Sequence, residues 1–237
     1  MYDPVVVAEE TAKVITRGKL RKYYRFRSAR FYGGIATADC VGCCLRCAFC
    51  WGWSTAVNPT GSGTFHSPEE VVQRLCSIAS SHGFHKVRLS GNEPTLARDH
   101  LLSVLEQLPE GVDFILETNG ILLGHDAGYA EALSTFSNLH VRVSFKGSSP
   151  EEFSRLTDAE PEAFWLPLRA LENLLHAGVS CHPAVMTSFS SPAAKDDLRE
   201  RLDAIHPSFG DFEEEEVFLN EAAKKRLAVW TGLQGRR

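Results

Sequence analysis

From Ile35 onward one pattern repeats: a short apolar or β-branched run, a loop, then a stretch with helical spacing. The short runs are Ile35 to Val41, Lys86 to Ser90, Val112 to Glu117, His140 to Phe145, Val179 to Met186 and Glu215 to Asn220. Ser67-Pro-Glu-Glu70 opens the first helix, with Ser67 at the N-cap, Pro68 at N1 and Glu70 at N3, which makes a capping box. Val71, Val72, Leu75, Ile78 and Ala79 then keep helical spacing. Further helices are expected from Ala97 to Leu108, Ala127 to Phe136, Glu162 to Ala177 and Ala193 to Ile205, with a short one after Ser149 and a closing one to about Trp230. Strands separated by helices of this length make βαβ units and a parallel sheet. Six units fall short of an eight-stranded barrel. The expected fold is α/β, a single-domain, partial (βα)6 TIM-like barrel.

The organisation follows from that. Residues 1–33 are a lead-in: a helix over Val5 to Ile15, then the basic-aromatic stretch Lys19 to Arg27, read as a solvated face packed on the barrel edge through its aromatics. Residues 34–220 are the core, and residues 221–237 a closing helix and tail. The net charge of −5 gives no footprint for nucleic acid. No apolar run approaches a membrane span and the N-terminus does not read as a signal peptide, so a cytoplasmic location is expected. In that compartment the seven cysteines, an odd number, point to metal rather than disulfides.

A parallel barrel gathers its ligands where strands end. Strand one runs into Cys40-Val-Gly-Cys43-Cys44-Leu-Arg-Cys47-Ala-Phe-Cys50, which holds five of the cysteines. Clustered soft thiolates suit an iron–sulfur cluster or zinc. Cys43, Cys47 and Cys50 read as the cradle of a 4Fe–4S cluster, three thiolates leaving one iron open; Cys44, Cys47 and Cys50 are an alternative triplet. A structural zinc site in a non-catalytic interaction module is the rival. Strand two ends in Ser90-Gly91-Asn92-Glu93-Pro-Thr95, strand three in Glu117-Thr118-Asn119-Gly120, and strand four in Ser144-Phe-Lys146-Gly147. His182 lies on strand five. Arg142, Ser144 and Lys146 have one parity and should share a face.

These motifs together resemble the radical S-adenosylmethionine (radical SAM) superfamily. Cys43, Cys47, Phe49 and Cys50 match its C-x3-C-x-aromatic-C signature, Ser90-Gly-Asn-Glu-Pro its G-G-E-P segment with Asn92 in place of a glycine, and Thr118-Asn-Gly its T-N-G segment. The resemblance covers roughly residues 35 to 190. Within the superfamily, Ser144 through Thr157 and Leu171 through Gly178 look most like the activating enzymes of glycyl-radical enzymes, which carry Asp where Ser144 stands.

The resemblance implies a radical SAM barrel and two cofactors, a 4Fe–4S cluster on Cys43, Cys47 and Cys50, and S-adenosylmethionine. Reductive cleavage would give a 5′-deoxyadenosyl radical that takes a hydrogen atom from a substrate, a protein or peptide by the activase likeness. It implies Glu93 on the cofactor's amine, and Lys146, Thr118 and Ser144 on its carboxylate, with Arg142 as a substitute. Adenine would lie near Phe49 and Trp51, with Gly91, Asn92 and Asn119 lining the site and His182 at the mouth. A flavodoxin or ferredoxin would donate the electron. Glu93 also suits a helix cap, and Glu117 a strand-end partner for Arg142 or Lys146. The run Glu213 to Glu216 reads as a solvated loop, Asn58 to Gly63 as a flexible loop, and Cys40, Cys76 and Cys181 as structural thiols.

Overall fold

The computed structural model describes residues 1–217 and 220–234. The chain opens with α1 (Pro4–Ile15), capped by Asp3, then β1 (Thr16–Arg17), β2 (Leu20–Ala29) and β3 (Ile35–Cys40). After the cysteine loop come α2 (Trp53–Val57), β4 (Thr64–His66), α3 (Pro68–His82), β5 (Lys86–Ser90), α4 (Arg98–Glu106) and β6 (Asp113–Thr118). Two short helices, α5 (Ile121–His125) and α6 (Ala127–Leu133), lead to β7 (Leu139–Phe145). The rest is α7 (Pro150–Thr157), α8 (Trp165–His176), β8 (Ser180–Met186), α9 (Pro192–Ile205), β9 (Glu213–Glu215) and α10 (Glu221–Gln234).

β3, β5, β6, β7, β8 and β9 are parallel and neighbour one another in chain order. Parallel strands in chain order, joined by right-handed crossovers, keep their helices on one side of the sheet and curve it into a barrel wall. The alternating strand residues show the consequence. Val87 and Leu89, Phe114 and Leu116, and Val141, Val143 and Phe145 are buried in the core with Leu75, Leu101, Leu171 and Leu174 of the helices. The residues between them face the concave side. Among the described residues no pairing joins β9 back to β1 or β2, so the barrel is open.

The capping box forms as expected: Glu70 N–H donates to Ser67 Oγ and Ser67 N–H to Glu70 Oε2. Two expectations are corrected. The basic-aromatic stretch is strand β2, paired antiparallel to β3 and, on its other side, to β4. Tyr23 and Arg21 are fully buried, and Lys22 between them is buried too, so this end of β2 is covered on both faces. The sixth strand also lies earlier than Glu215 to Asn220. It is Glu213–Glu215, inside the acidic run read as a solvated loop, and Phe218 and Leu219 fall outside the described residues.

Candidate functional site

The cysteine loop is tied down along its length. Gly42 N–H donates to Thr55 and Gly42 C=O accepts from Glu93 N–H; Ala48 N–H donates to the Leu156 carbonyl at 2.8 Å. Arg46 Nη1 donates to Cys43 C=O at 2.7 Å, and Arg226 donates to the carbonyls of Ala48 and Cys50. Cys43, Cys47 and Cys50 lie close together: Cys43 raises the pKa of both Cys47 and Cys50, and Cys50 that of Cys47. Burial pushes Cys47 up strongly and Cys50 up to about 11, while the Lys146 ammonium pulls both down. Cys43 and Cys50 are partly open; Cys44 and Cys40 are fully buried. Among the described residues no three His, Cys, Asp or Glu side chains close on a single point. A four-iron cluster does not need that, since each thiolate takes its own iron. Neutral thiols with cations on their loop, deprotonated when a metal arrives, fit such a cluster.

The next two loops lock onto this one. Gly91 adopts φ +101°, and a Cβ there would sit 2.9 Å from Cys40 N, so no side chain fits between β3 and β5. Asn92 Nδ2 donates to Cys40 C=O at 3.0 Å and to Thr55 Oγ1 at 2.9 Å; its buried Oδ1 has no partner among the described residues. Glu93 is 1% exposed. Its Oε1 accepts from Thr95 N–H, Thr95 Oγ1 and Thr118 Oγ1, and its Oε2 from Asn119 N–H at 2.8 Å. Three of the four donors converge on Oε1, so Oε2, with one bond, keeps an acceptor position open. Glu93 thus caps the turn at Pro94–Leu96, as its place before Pro94 also suggested, and clamps the loop after β5 to the loop after β6.

Asn119 reaches the cysteines. Its Nδ2 donates to Cys44 Sγ at 3.2 Å and to Cys43 Sγ at 3.8 Å, while its Oδ1 accepts from Ile121 N–H at 3.0 Å. Lys146 Nζ donates to Ser144 Oγ at 2.5 Å, and Ser144 Oγ to Glu215 Oε2 at 2.8 Å. Arg142, Ser144 and Lys146 do share the concave face.

That face carries charges whose sign alternates from strand to strand. Arg25 and Arg27 of β2 donate to Asp39 of β3 at 2.6 and 2.8 Å. Arg88 of β5 donates to Thr37 Oγ1 at 2.9 Å and pairs with Glu117 of β6, which also accepts from Ser90 and Tyr32. Arg142 of β7 donates to both oxygens of Glu213 at 2.9 Å and to Glu215 of β9 at 2.8 Å. Burial would raise the Glu215 carboxyl, but Lys146 and Arg142 hold it at about 2. Glu117 thus bonds to Arg88, not to Arg142 or Lys146 as expected. Barrel interiors usually fill with branched apolar side chains; this one is polar and partly wetted, with the Glu213 side chain 50% and His182 32% exposed.

Three more of the expected cofactor residues are His182, Trp51 and Phe49. His182 is hydrogen-bonded to His140 at 2.6 Å and faces Glu213. It sits four residues before the end of β8, about 13 Å below the mouth at ~3.3 Å per residue. Trp51 is 45% exposed with Arg25 over its ring at 5.5 Å. Phe49 stays inside, 8% exposed, its ring stacked on Phe189 at 5.8 Å. Sequence reading missed Phe189, Arg21, Tyr32, Arg88 and Arg226. Strand parity pointed to Arg88; the others have no local signal.

A model of the radical SAM superfamily matches residues 39–190. The chain belongs to the radical SAM superfamily. Its members use a 4Fe–4S cluster and S-adenosylmethionine. Similar curated proteins include the GTP 3′,8-cyclase of Syntrophomonas wolfei, 37% identical over 117 residues, 48% of this chain and 34% of that one. The probable GTP 3′,8-cyclase of Methanosarcina mazei is 28% identical over 71% of this chain and 49% of its own length. The chain thus spans half or less of these relatives. Streptococcus suis SuiB bound to S-adenosylmethionine superposes with a TM-score of 0.61 over 82% of this chain and 45% of its own, at 15% identity, which shows a shared fold. No described helix is long and apolar enough to cross a membrane.

Proposed function

We propose that this radical SAM chain acts on a small polar substrate held against the charged concave face below the cysteine loop. The observation that carries the reading is the sign-alternating array from Asp39 to Glu215, beside three mutually close thiols. When bound, the cluster and S-adenosylmethionine supply one-electron reductive cleavage of a carbon–sulfur bond and, from it, hydrogen-atom abstraction.

This chain's residues do the rest. Cys43, Cys47 and Cys50 hold the cluster. Lys146, steadied by Ser144, faces the cofactor carboxylate, and the unpaired Asn92 Oδ1 and the backbone at Gly91 take its amine. Glu93 and Thr118 keep the two loops in register. Phe49 and Phe189 form a dry wall that shields the reaction from water. An apolar substrate would leave Arg88, Glu117 and His182 desolvated without gain, whereas a polar one replaces their water. GTP, named in the relatives, is a molecule of this kind; a peptide substrate is the second reading, since SuiB is also known bound to its precursor peptide SuiA. A flavodoxin or ferredoxin supplies the electron.

Anaerobic reconstitution with iron and sulfide should give about four irons per chain, and dithionite should then release 5′-deoxyadenosine from S-adenosylmethionine. Adding GTP as the first polar probe should speed that release. One bound zinc and no iron would overturn the cluster assignment. Equal stimulation by an apolar probe such as decane emulsion would overturn the substrate class.

A further inference from the structure

We infer that Tyr32 is a specificity residue: its hydroxyl, fixed by Glu117, offers the substrate a hydrogen-bond acceptor and no donor, so the concave face selects a substrate that presents a neutral hydroxyl there, as a sugar does. The inference deepens the polar-substrate reading above and rests on it. It concerns a residue outside the stretch that matches the superfamily model.

Tyr32 sits in a strained turn. It lies between β2 and β3 at φ 55° and ψ 26°, in the left-handed region. A residue with a Cβ is disfavoured there, whereas a glycine would make the same turn freely. What the tyrosine adds is reach. Its hydroxyl crosses to β6 and donates to Glu117 Oε1 at 2.9 Å, 85 residues away in sequence. Beside it the Arg88 guanidinium lies over the Phe31 ring, 4.8 Å from its centroid. Backbone strain of this kind gathers at ligand-binding sites.

The Glu117 carboxylate sets the polarity of its neighbours. Arg88 and Tyr32 both donate to Oε1, and Ser90 Oγ donates to Oε2 at 2.6 Å. A carboxylate paired with a guanidinium only accepts, so the single hydroxyl protons of Tyr32 and Ser90 are both committed to it. Neither hydroxyl accepts a bond from another described residue. Only lone pairs are left for a ligand.

Those lone pairs can be reached. The Glu117 side chain is 20% exposed and Tyr32 is half-buried, so the pair borders the chamber. Arg88, 4% exposed, already balances the charge of Glu117. A neutral O–H donor therefore satisfies Tyr32 without placing a further charge beside a buried ion pair.

The test is isothermal titration of the reconstituted full chain, loaded with S-adenosylmethionine, with GTP and 2′,3′-dideoxy-GTP, which differ only in the sugar hydroxyls. Wild type should bind GTP about 5- to 10-fold more tightly than the dideoxy probe. Tyr32→Phe keeps the ring and removes the acceptor. It should weaken GTP by about that factor and leave the dideoxy probe unchanged, so that the preference collapses. Glu117→Gln turns an NH2 group toward one of the hydroxyls, releases that hydroxyl's proton toward the chamber, and should shrink the preference as well. Ser90→Ala, on the other carboxylate oxygen, should lose part of it and tests the same polarity if Tyr32→Phe does not fold. Equal binding of the two probes by wild type would overturn the inference, as would an undiminished preference in Tyr32→Phe or, where that variant does not fold, in Ser90→Ala. A wild-type chain that holds its cluster and S-adenosylmethionine but binds neither probe would instead refute the substrate reading, and this inference with it.

Discussion

Arg21 Nη2 donates to the carbonyl of Glu93 at 2.7 Å, across 72 residues of sequence, and Arg21 Nη1 donates to the carbonyl of Pro94. Arg21 belongs to the antiparallel strand β2, outside the parallel core, and is 0% exposed. The loop after β5 turns away from the sheet, so its carbonyls have no ladder partner. A guanidinium buried behind them supplies the missing donors. The N-terminal extension is thus part of the site's scaffold.

Arg21→Met keeps most of the volume and removes both donors. Two buried carbonyls are then left bare, and stability should fall by about 2–4 kcal/mol. The urea midpoint should drop with little change in slope. Arg21→Lys should recover part of the loss. A change in Arg21→Met smaller than about 0.5 kcal/mol would show that the loop holds its shape without this residue.

Glu93→Gln gives a second test of the loop clamp. The two oxygens of Glu93 face only donors, from Thr95 and Thr118 on one and Asn119 on the other. A glutamine NH2 must point at one of those donors whichever way it turns. The chain without S-adenosylmethionine should lose about 1–3 kcal/mol, read by denaturant unfolding. A purely cofactor-binding glutamate would instead weaken S-adenosylmethionine binding and leave the unfolding midpoint in place.

Glu215 makes stability depend on pH in acid. Burial opposes its ionisation, yet Lys146 and Arg142 hold its folded pKa at about 2, below the ordinary 4.5. A depressed carboxyl contributes stability that is complete above the unfolded pKa and is lost as pH falls toward the folded one. The window therefore runs from about 4.5 down to about 2, and the loss amounts to about 3 kcal/mol. Unfolding curves at several pH values should show this slope in wild type and a flatter one in Glu215→Gln. Equal slopes would mean that Arg142 holds Glu215 no better in the fold than in the unfolded chain.

Much of this architecture is written locally. Ser67 and Glu70 specify a helix start that forms with both reciprocal bonds. The spacing of Arg142, Ser144 and Lys146 places them on one face before any partner is known. The unusual strands resisted such reading. Leu20 to Ala29 is dense in Lys and Arg, which marks a solvated segment unless Asp39 and the loop carbonyls receive those charges. Glu213 to Glu215 has low strand propensity, and it is Arg142 that makes a strand of acids tolerable there.

The sequence by itself determined the order of βαβ units and the loops that carry the chemistry, because strand period, helix period and capping are set by residues a few positions apart. It also narrowed the cluster ligands to a short window. Only the tertiary structure decided what Glu93 touches, that Glu117 meets Arg88, that His182 lies far below the mouth and that Cys44 turns inward behind Cys43. Those outcomes depend on angstrom-scale distances between segments tens of residues apart, and hydrogen bonds and desolvation discriminate at that scale, whereas a one-dimensional pattern does not.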